Sequence, residues 1–216
     1  MVHSRGPNPT IKAVIFDFGG VITSSPFEAF AAYEETAGLP PGLIRLINST
    51  NPDTNAWARF ERSEIDRATF IEEFEAEGRA LGHQVDGGRV LACLAGKLRP
   101  GMVHTLDRLA GDYRLGCITN NVSGDRGPDP DVLARFDVVI ESSKVGLRKP
   151  DPAIYLMACE MLEISPDEAV YLDDLGINCK PARALGMTTI KVESEAQALA
   201  ELEAVLSGER SRPDSP

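Results

Sequence analysis

The sequence predicts an α/β fold built on a doubly wound parallel sheet, with a small α-helical cap domain inserted after the first strand. Short runs of Val, Ile and Leu recur without polar alternation, which is typical of parallel strands covered by helices on both faces. From about residue 100 these runs alternate with helical patterns, as in doubly wound sheets. Residues 24–98 show helical periodicity and no convincing strand, and this stretch is too long for a simple crossover.

The predicted core elements follow in chain order. Five strand-like runs are Ile11–Asp17, Arg114–Thr119, Asp137–Ile140, Ala169–Asp173 and Thr188–Val192. Helix starts are indicated at Asp151-Pro152, an N-cap followed by proline, and at two capping boxes, Ser165 to Glu168 and Ser194 to Gln197. In a capping box the first and fourth side chains bond to free backbone amides at the start of the helix.

The predicted insert lies between Thr23–Pro26 and Arg99–Gly101. Its helix-period segments are Phe27–Ala37, Leu43–Asn48, Ala68–Leu81 and Arg89–Leu98. We therefore predict an α/β core of residues 1–23 and 99–208, a helical cap of residues 24–98, and a flexible tail of residues 209–216, which is polar and rich in serine and proline. Four aromatic residues of the insert are expected to pack a core rather than form a substrate wall: Trp57, Phe60, Phe70 and Phe74.

Composition narrows the possible partners. The net charge of −11 argues against nucleic acid and anionic membranes, which both need clustered Lys and Arg. No apolar run approaches the roughly 20 residues that span a bilayer. The four cysteines stand in separate elements with no paired spacing, which favours free thiols in a reducing, cytoplasmic setting. The sequence indicates no oligomeric state.

Polar residues follow several of the predicted strands. Asp17 ends the first, Thr119-Asn120 ends the second, Asp173-Asp174 ends the fourth, and Lys149 precedes a helix start. In a parallel sheet these ends share one edge. A carboxylate can attack a phosphoryl group there if Mg²⁺ and a lysine offset the repulsion between the two anions, and if Thr119 and the Asn120 amide hold the transferred oxygens. Lys144 and Arg148 are expected to be surface charges.

At these residues the chain resembles the haloacid dehalogenase superfamily, whose members are mostly Mg²⁺-dependent phosphohydrolases. Its four short motifs appear in order at Asp17, Thr119, Lys149 and Asp173-Asp174. The strings VIFDFGGV, TNN, ESSKVGLRKPDPAIY and YLDDLGINCKPARALGM are similar to the N-terminal phosphatase domain of soluble epoxide hydrolases. They are also similar to the related N-terminal domain of some acyl-CoA dehydrogenase-family proteins. The helical insert occupies the place of the superfamily's first cap.

The resemblance implies roles for these residues. Asp17 is the expected nucleophile and a metal ligand, and the Gly19 carbonyl and Asp174 are the other expected ligands of Mg²⁺. Thr119, Asn120 and Lys149 are expected to bind the substrate phosphate. Asp173 is expected to orient Lys149 or a metal-bound water, and Asn178 matches a polar position beyond the acid pair.

One position departs from the superfamily pattern. The usual first motif is Asp-x-Asp, whose second acid protonates the leaving group, but this chain has Gly19 there. Loss of a general acid or base costs about 10²–10⁴ in rate. The resemblance therefore predicts weak activity, or activity restricted to good leaving groups such as acyl or aryl phosphates. Alternatively, an acid of the insert serves instead, with Glu28, Glu34 and Glu35 as candidates.

Three functions are compatible with this pattern. The first is a Mg²⁺-dependent phosphatase that acts on a small phosphorylated metabolite through an aspartyl-phosphate at Asp17. The second is a metal-independent dehalogenase-type hydrolase, because a halide leaves without protonation. However, the superfamily's dehalogenases replace the late acid pair, which this chain keeps at Asp173-Asp174. The third is a binding or regulatory module that has lost turnover.

Overall fold

The chain forms one parallel sheet. The computed structural model describes residues 10–121 and 129–208, so the predicted flexible tail, residues 209–216, lies outside the described residues. The strands are β1 (Ala13–Phe16), β2 (Arg114–Thr119), β3 (Val138–Glu141), β4 (Ala169–Asp173) and β5 (Thr188–Lys191). They are arranged in the order β3-β2-β1-β4-β5 with every neighbouring pair parallel. The predicted α/β class and parallel sheet are confirmed.

Helices precede, connect and follow these strands. Between β1 and β2 lie a wide turn over Phe18–Ile22 and the helices α1 (Pro26–Thr36), α2 (Leu43–Ser49), α3 (Ala56–Glu61), α4 (Arg67–Ala80), α5 (Gly87–Ala92) and α6 (Pro100–Leu109). Later in the chain come α7 (Pro130–Leu133), α8 (Ser142–Val145), α9 (Pro152–Leu162), α10 (Gly176–Ala184) and α11 (Glu195–Leu206). A 3₁₀ turn, Pro166–Glu168, precedes β4. The Ser165 capping box forms, but it closes only this turn because β4 begins at Ala169.

The central strand β1 is covered on both faces. Val14 and Phe16 belong to one hydrophobic cluster, which includes residues of α6 and α11. Ala13 and Ile15 point to the other side, where residues of α9 and α10 cover them. Alternate residues of a strand face opposite sides of its sheet, so the continuous apolar run of β1 is explained. The strand holds Asp17, the next residue, at a fixed point of the sheet edge.

The helices α1 to α5 enclose a third hydrophobic cluster, formed entirely by residues of the insert. Phe60, Phe70 and Phe74 are buried there, and the half-buried Trp57 packs edge-on against Phe70, with ring centroids 5.6 Å apart. The predicted core role of these aromatic residues is confirmed. The helix α3 (Ala56–Glu61) was not predicted.

The chain leaves and rejoins the core through two adjacent segments. Thr23 and Leu98 form an antiparallel bridge, and the Ser24 N–H donates to the Lys97 carbonyl at 2.8 Å. The last helix of the insert, α5, ends at Ala92. The prediction that the helix continues to Leu98 is wrong, because Leu98 belongs to the bridge with Thr23. The proposed domain boundaries, near residues 23 and 99, fall at this paired junction and stay a prediction.

No helix among the described residues has both the length and the apolar character needed to cross a membrane.

Candidate active site

Lys149 lies at the centre of the candidate site, at the edge where the parallel strands end. Its Nζ is 2.7 Å from Asp17 Oδ1 and 2.9 Å from Asp173 Oδ2. The residue is only 2% exposed. Burial alone would lower the pKa of the Lys149 ammonium, but Asp17 and Asp173 outweigh that effect and raise the pKa above its ordinary value. Lys149 is therefore a buried, permanently charged cation between two acids.

Asp17 follows β1 directly, and its backbone N–H bonds to the Leu172 carbonyl of the neighbouring strand at 2.8 Å. The Phe18 N–H donates to Asp17 Oδ1 at 2.6 Å, the same oxygen that Lys149 contacts. Burial raises the pKa of Asp17, and the nearby Lys149 ammonium opposes this rise. Since both contacts reach Oδ1, the second oxygen, Oδ2, is the better suited of the two to attack a substrate.

Asp173 is fully buried and its carboxylate is held by several donors. Besides Lys149, these are the Tyr171 hydroxyl at 2.5 Å, the Leu175 N–H at 2.8 Å, and Asn178 Nδ2 at 3.1 Å from each oxygen. A carboxylate held by these donors is suited to orienting Lys149, which is one of the two roles that the resemblance implies for Asp173. Tyr171 was not predicted, although it lies two residues before Asp173 in β4 and therefore on the same face.

Asp174 lies beside the turn that follows β1. Its Oδ2 accepts a hydrogen bond from Ser25 Oγ at 3.0 Å. A Cβ added at Gly20 would lie 2.2 Å from the same oxygen, and Gly20 has a φ of +78°. A side chain at position 20 would therefore need a strained backbone and would displace Asp174, so glycine suits this position. Burial raises the pKa of Asp174, and the neighbouring Asp173 raises it further.

The acids of the site fit a hard divalent cation. One oxygen from each of Asp17, Asp173 and Asp174 can be chosen so that all three lie within 4.8 Å of one another. Because Asp173 is already held by protein donors, Asp17 and Asp174 are the better-suited ligands. Both have pKa values raised mainly by burial, which a bound cation would counteract. Carboxylate oxygens, with a backbone carbonyl such as that of Gly19, are the donors that Mg²⁺ prefers.

Thr119 and Asn120 end β2 at the same edge. Thr119 is buried. The Asn120 side chain bonds to both sides of one residue: Oδ1 accepts from the Lys149 N–H at 2.9 Å, and Nδ2 donates to the Lys149 carbonyl at 3.0 Å. The side chain thus fixes the Lys149 backbone, which leaves the backbone amide as the part of Asn120 suited to a substrate phosphate.

The proposed substitute acids of the insert are placed differently from one another. Glu34 is buried and accepts from the Gly42 and Ile44 N–H groups at 2.7 and 2.8 Å, so it caps the start of α2. Glu28 and Glu35 are exposed on α1. Glu34 is therefore engaged in structure and is a poor candidate for proton transfer.

Glu61, at the end of α3, is an acid of the insert that reaches the site, and it was not predicted. Its Oε2 is 2.7 Å from Arg148 Nε and 3.4 Å from Asn120 Nδ2, while its Oε1 accepts from Trp57 Nε1 at 2.9 Å. The Arg148 Nε–H is not aligned with a hydrogen-bond acceptor, so the pair is an ionic contact. The prediction that Arg148 is a surface charge is wrong, since its side chain is 19% exposed. Lys144 is 75% exposed and pairs with Glu141.

Gly19 leaves open space beside the site, at the edge where the parallel strands end. Its φ and ψ of −70° and 130° suit any residue, and a Cβ added there meets nothing within 4 Å. The position that holds the second acid in the usual motif is therefore open, not blocked by other side chains.

The parallel core and the cluster of Asp17, Lys149 and Asp173-Asp174 define a hydrolase of the haloacid dehalogenase class. A family model described as haloacid dehalogenase-like hydrolase matches residues 11–186. The chain belongs to that family.

Curated relatives agree with this assignment. Acyl-CoA dehydrogenase family member 10 of Mus musculus is 35% identical over 215 residues, covering 94% of this chain and 20% of that protein. Bifunctional epoxide hydrolase 2 of the same organism is 46% identical over 214 residues, covering 90% of this chain and 39% of that protein. Phosphoglycolate phosphatase of Nitrosospira multiformis is 35% identical over 91 residues, covering 40% of each chain. The chain spans only a fifth to two fifths of the length of these relatives.

Solved structures share the fold. A haloacid dehalogenase family enzyme of Bacteroides thetaiotaomicron, in its magnesium complex, superposes with a TM-score of 0.61 at 20% identity, covering 89% of this chain and 98% of that one. A 2-haloacid dehalogenase of Pseudomonas syringae pv. Tomato DC3000 gives a TM-score of 0.55 at 20% identity, covering 93% and 100%. At these identities the two structures support the fold alone.

Proposed function

We propose that this chain is a Mg²⁺-dependent phosphatase that acts on a small phosphorylated metabolite through an aspartyl-phosphate at Asp17. One observation carries the proposal: buried Lys149 contacts both Asp17 and Asp173, with Asp174 beside them at the same edge of the sheet. The arrangement combines a carboxylate that can attack, a fixed cation, and acids suited to a metal ion. The phosphatase among the relatives supports this reading over other hydrolase chemistry.

The proposed reaction has two steps at Asp17. First, Oδ2 forms a bond to phosphorus while the bond from phosphorus to the leaving oxygen breaks, which gives the aspartyl-phosphate. A water then attacks phosphorus, inorganic phosphate leaves, and the carboxylate is restored. Lys149 balances negative charge on the transferred group throughout, and Thr119 with the Asn120 amide would hold its oxygens.

Asp17, Asp174 and the Gly19 carbonyl would hold the Mg²⁺. The ion would reduce the repulsion between the attacking carboxylate and the phosphoryl oxygens. Asp173 is not needed as a ligand of the ion, because it accepts a hydrogen bond from Lys149 and further hydrogen bonds from Tyr171 and Asn178. The proposal thus gives the two adjacent acids different tasks.

Gly19 limits the proposed substrates. Without an acid at this position the leaving oxygen departs without a protein proton donor, so leaving groups that are stable as anions react fastest. We therefore expect acyl and aryl phosphates to be better substrates than alkyl phosphates. The helical insert, residues 24–98, is proposed to be the cap that contacts the leaving group, because Glu61 and Ser25 of this segment reach the edge of the site.

The test is a panel of phosphate esters and acyl phosphates assayed for inorganic phosphate release in the presence of Mg²⁺. We compare the wild type with Asp17→Asn, and use Asp112→Asn as a matched control, since Asp112 is an exposed acid before the start of β2, at the opposite end of the sheet. The proposal expects turnover to be lost in the first variant and kept in the second. Equal turnover by the wild type and Asp17→Asn would show that Asp17 is not the nucleophile.

The same protein samples distinguish the phosphatase from the two alternative functions. Chloride release from 2-haloacids without added metal would favour a dehalogenase. Binding of Mg²⁺ and inorganic phosphate with no hydrolysis across the panel would favour a regulatory module.

A further inference from the structure

We propose that Ser25 is a positioning residue: its hydroxyl holds Asp174 ready for the metal ion and links metal binding to the helical insert. This inference rests on the proposed function, because Asp174 is a metal ligand only in that proposal. The proposal is based on the hydrogen bond that Ser25 Oγ donates to Asp174 Oδ2 at 3.0 Å. The two residues are 149 positions apart in the sequence.

Ser25 occupies a position where serine ordinarily has another task. It is the N-cap of α1, and an N-cap serine usually accepts a hydrogen bond from a backbone N–H in the first turn. Its side chain makes no such bond here. By contrast, Ser194, the N-cap of α11, accepts from the Gln197 N–H at 3.2 Å. The Ser25 hydroxyl is thus directed away from its own helix and toward the acid.

The bond restrains a carboxylate that has little room. Asp174 lies against the backbone of Gly20, where even a Cβ would come within 2.2 Å of Oδ2. Gly20 lies on one side of the carboxylate and the Ser25 hydroxyl donates to it, so both limit the orientations that Asp174 can take. Groups that hydrogen-bond to a metal ligand, and so orient it, commonly raise the affinity for the metal 10- to 100-fold.

Ser25 also stands at the start of the insert. It directly follows Ser24, whose N–H and Oγ bond to Lys97 across the paired junction. The helix that Ser25 begins carries Phe30, whose ring packs edge-on against Trp57 with centroids 6.2 Å apart. A continuous set of contacts therefore leads from Asp174 through Ser25 and α1 to Trp57.

Trp57 is the only tryptophan of the chain, so its fluorescence reports on the insert alone. The experiment titrates the full chain with MgCl₂ and measures affinity by calorimetry and the emission of Trp57 in parallel. The variants are Ser25→Ala, Ser25→Thr, which restores a hydroxyl, and Ser194→Ala as a matched N-cap control. Ser25→Gly is a second variant without the hydroxyl, since glycine is well tolerated at an N-cap.

We expect Ser25→Ala and Ser25→Gly to weaken Mg²⁺ binding by about tenfold or more and to lose the Mg²⁺-dependent change in Trp57 emission. Ser25→Thr should restore both. Ser194→Ala should lower the melting temperature but leave Mg²⁺ affinity unchanged, which separates helix capping from ligand positioning.

Four results would overturn the proposal. Wild-type affinity in Ser25→Ala, or weak binding in Ser25→Thr, would show that the hydroxyl does not position the ligand. Tight binding by the wild type with no change in Trp57 emission would remove the link to the insert. If the wild type itself binds no Mg²⁺, the metal site of the proposed function fails as well, and this outcome is distinct from the other three.

Discussion

Gly19 and Gly20 are adjacent residues with opposite tolerance for a side chain. We predict that Gly19→Asp raises the phosphatase rate toward alkyl phosphates by up to about 10²–10⁴, the usual contribution of a general acid. The new side chain has space and an ordinary backbone conformation. The rate is measured by phosphate release under saturating Mg²⁺.

The matched control is Gly20→Asp. It adds the same acid one residue later, where the Cβ collides with Asp174 and φ is +78°. We expect this variant to lose activity. A rate for Gly19→Asp no higher than that of the wild type would mean that the position does not face the leaving group.

Tyr171 supports the site from within the sheet. We predict that Tyr171→Phe lowers stability by about 1.5–3 kcal/mol, because the buried Asp173 carboxylate loses a hydroxyl donor at 2.5 Å. It should also lower kcat, since Asp173 then holds Lys149 less firmly. Urea unfolding and steady-state kinetics measure the two effects.

Tyr155→Phe is the comparison, because the Tyr155 hydroxyl donates to a backbone carbonyl, that of Asn178, at 2.9 Å. A smaller stability loss, about 1 kcal/mol, and near-normal kcat are expected. If the two variants lower kcat equally, Tyr171 has no specific role in holding Lys149.

At the scale of elements, the insert meets the core through α3 and the loop before Lys149. Glu61 pairs with Arg148 at 2.7 Å, and Arg148 Nη1 also donates to the Pro52 carbonyl at 2.8 Å. We predict that a double-mutant cycle of Glu61→Gln and Arg148→Met gives a coupling of about 2 kcal/mol, within the range for residues in one network. The free energy of unfolding in urea is the measured quantity.

An exposed ion pair offers the control for this cycle. Arg108 and Glu203 lie 2.9 Å apart between α6 and α11, with side chains 46% and 61% exposed. Their coupling should stay within about 0.5 kcal/mol, because solvent screens such pairs. Equal couplings in the two cycles would mean that the Glu61–Arg148 contact does not stabilise the packing of the insert against the core.

The elements also show how far sequence reasoning reaches. Parallel strands and the longer helices of the insert were predictable, because hydrophobic periodicity is a local signal. The Glu61–Arg148 contact was not, since it depends on how two separately packed groups of helices and strands meet. Arg148 precedes Lys149 directly and resembles any surface charge until the insert is placed above it.

At the scale of the whole molecule, the residues that meet at the site were easier to predict from the sequence than the contact between the insert and the core. Parallel strands bring their carboxyl ends to one edge, so Asp17, Thr119 and Asp173 had to converge once the strands were recognised. The resemblance implied different roles for Asp173 and Asp174, but the sequence could not supply the contacts that distinguish them. Those contacts depend on which carboxylate the buried donors Tyr171 and Asn178 reach, and in the structure it is that of Asp173.

Metal binding should stabilise the whole fold. If Asp17 and Asp174 bind Mg²⁺ only when they are brought together, an ion at 100 times its Kd adds about 2.7 kcal/mol to the free energy of unfolding. For a chain of this size that corresponds to a rise in Tm of about 5–11 °C. Thermal unfolding with MgCl₂, and again after excess EDTA, measures the rise and its reversal.

Asp174→Asn is the decisive variant for this prediction. Without metal it should be at least as stable as the wild type, because it removes a half-buried carboxylate whose pKa is raised by burial and by Asp173. With MgCl₂ it should show little or no rise in Tm, whereas the exposed-acid control Asp112→Asn should show the full rise. A full rise in Asp174→Asn would place the stabilising ion elsewhere in the molecule and separate Asp174 from the metal.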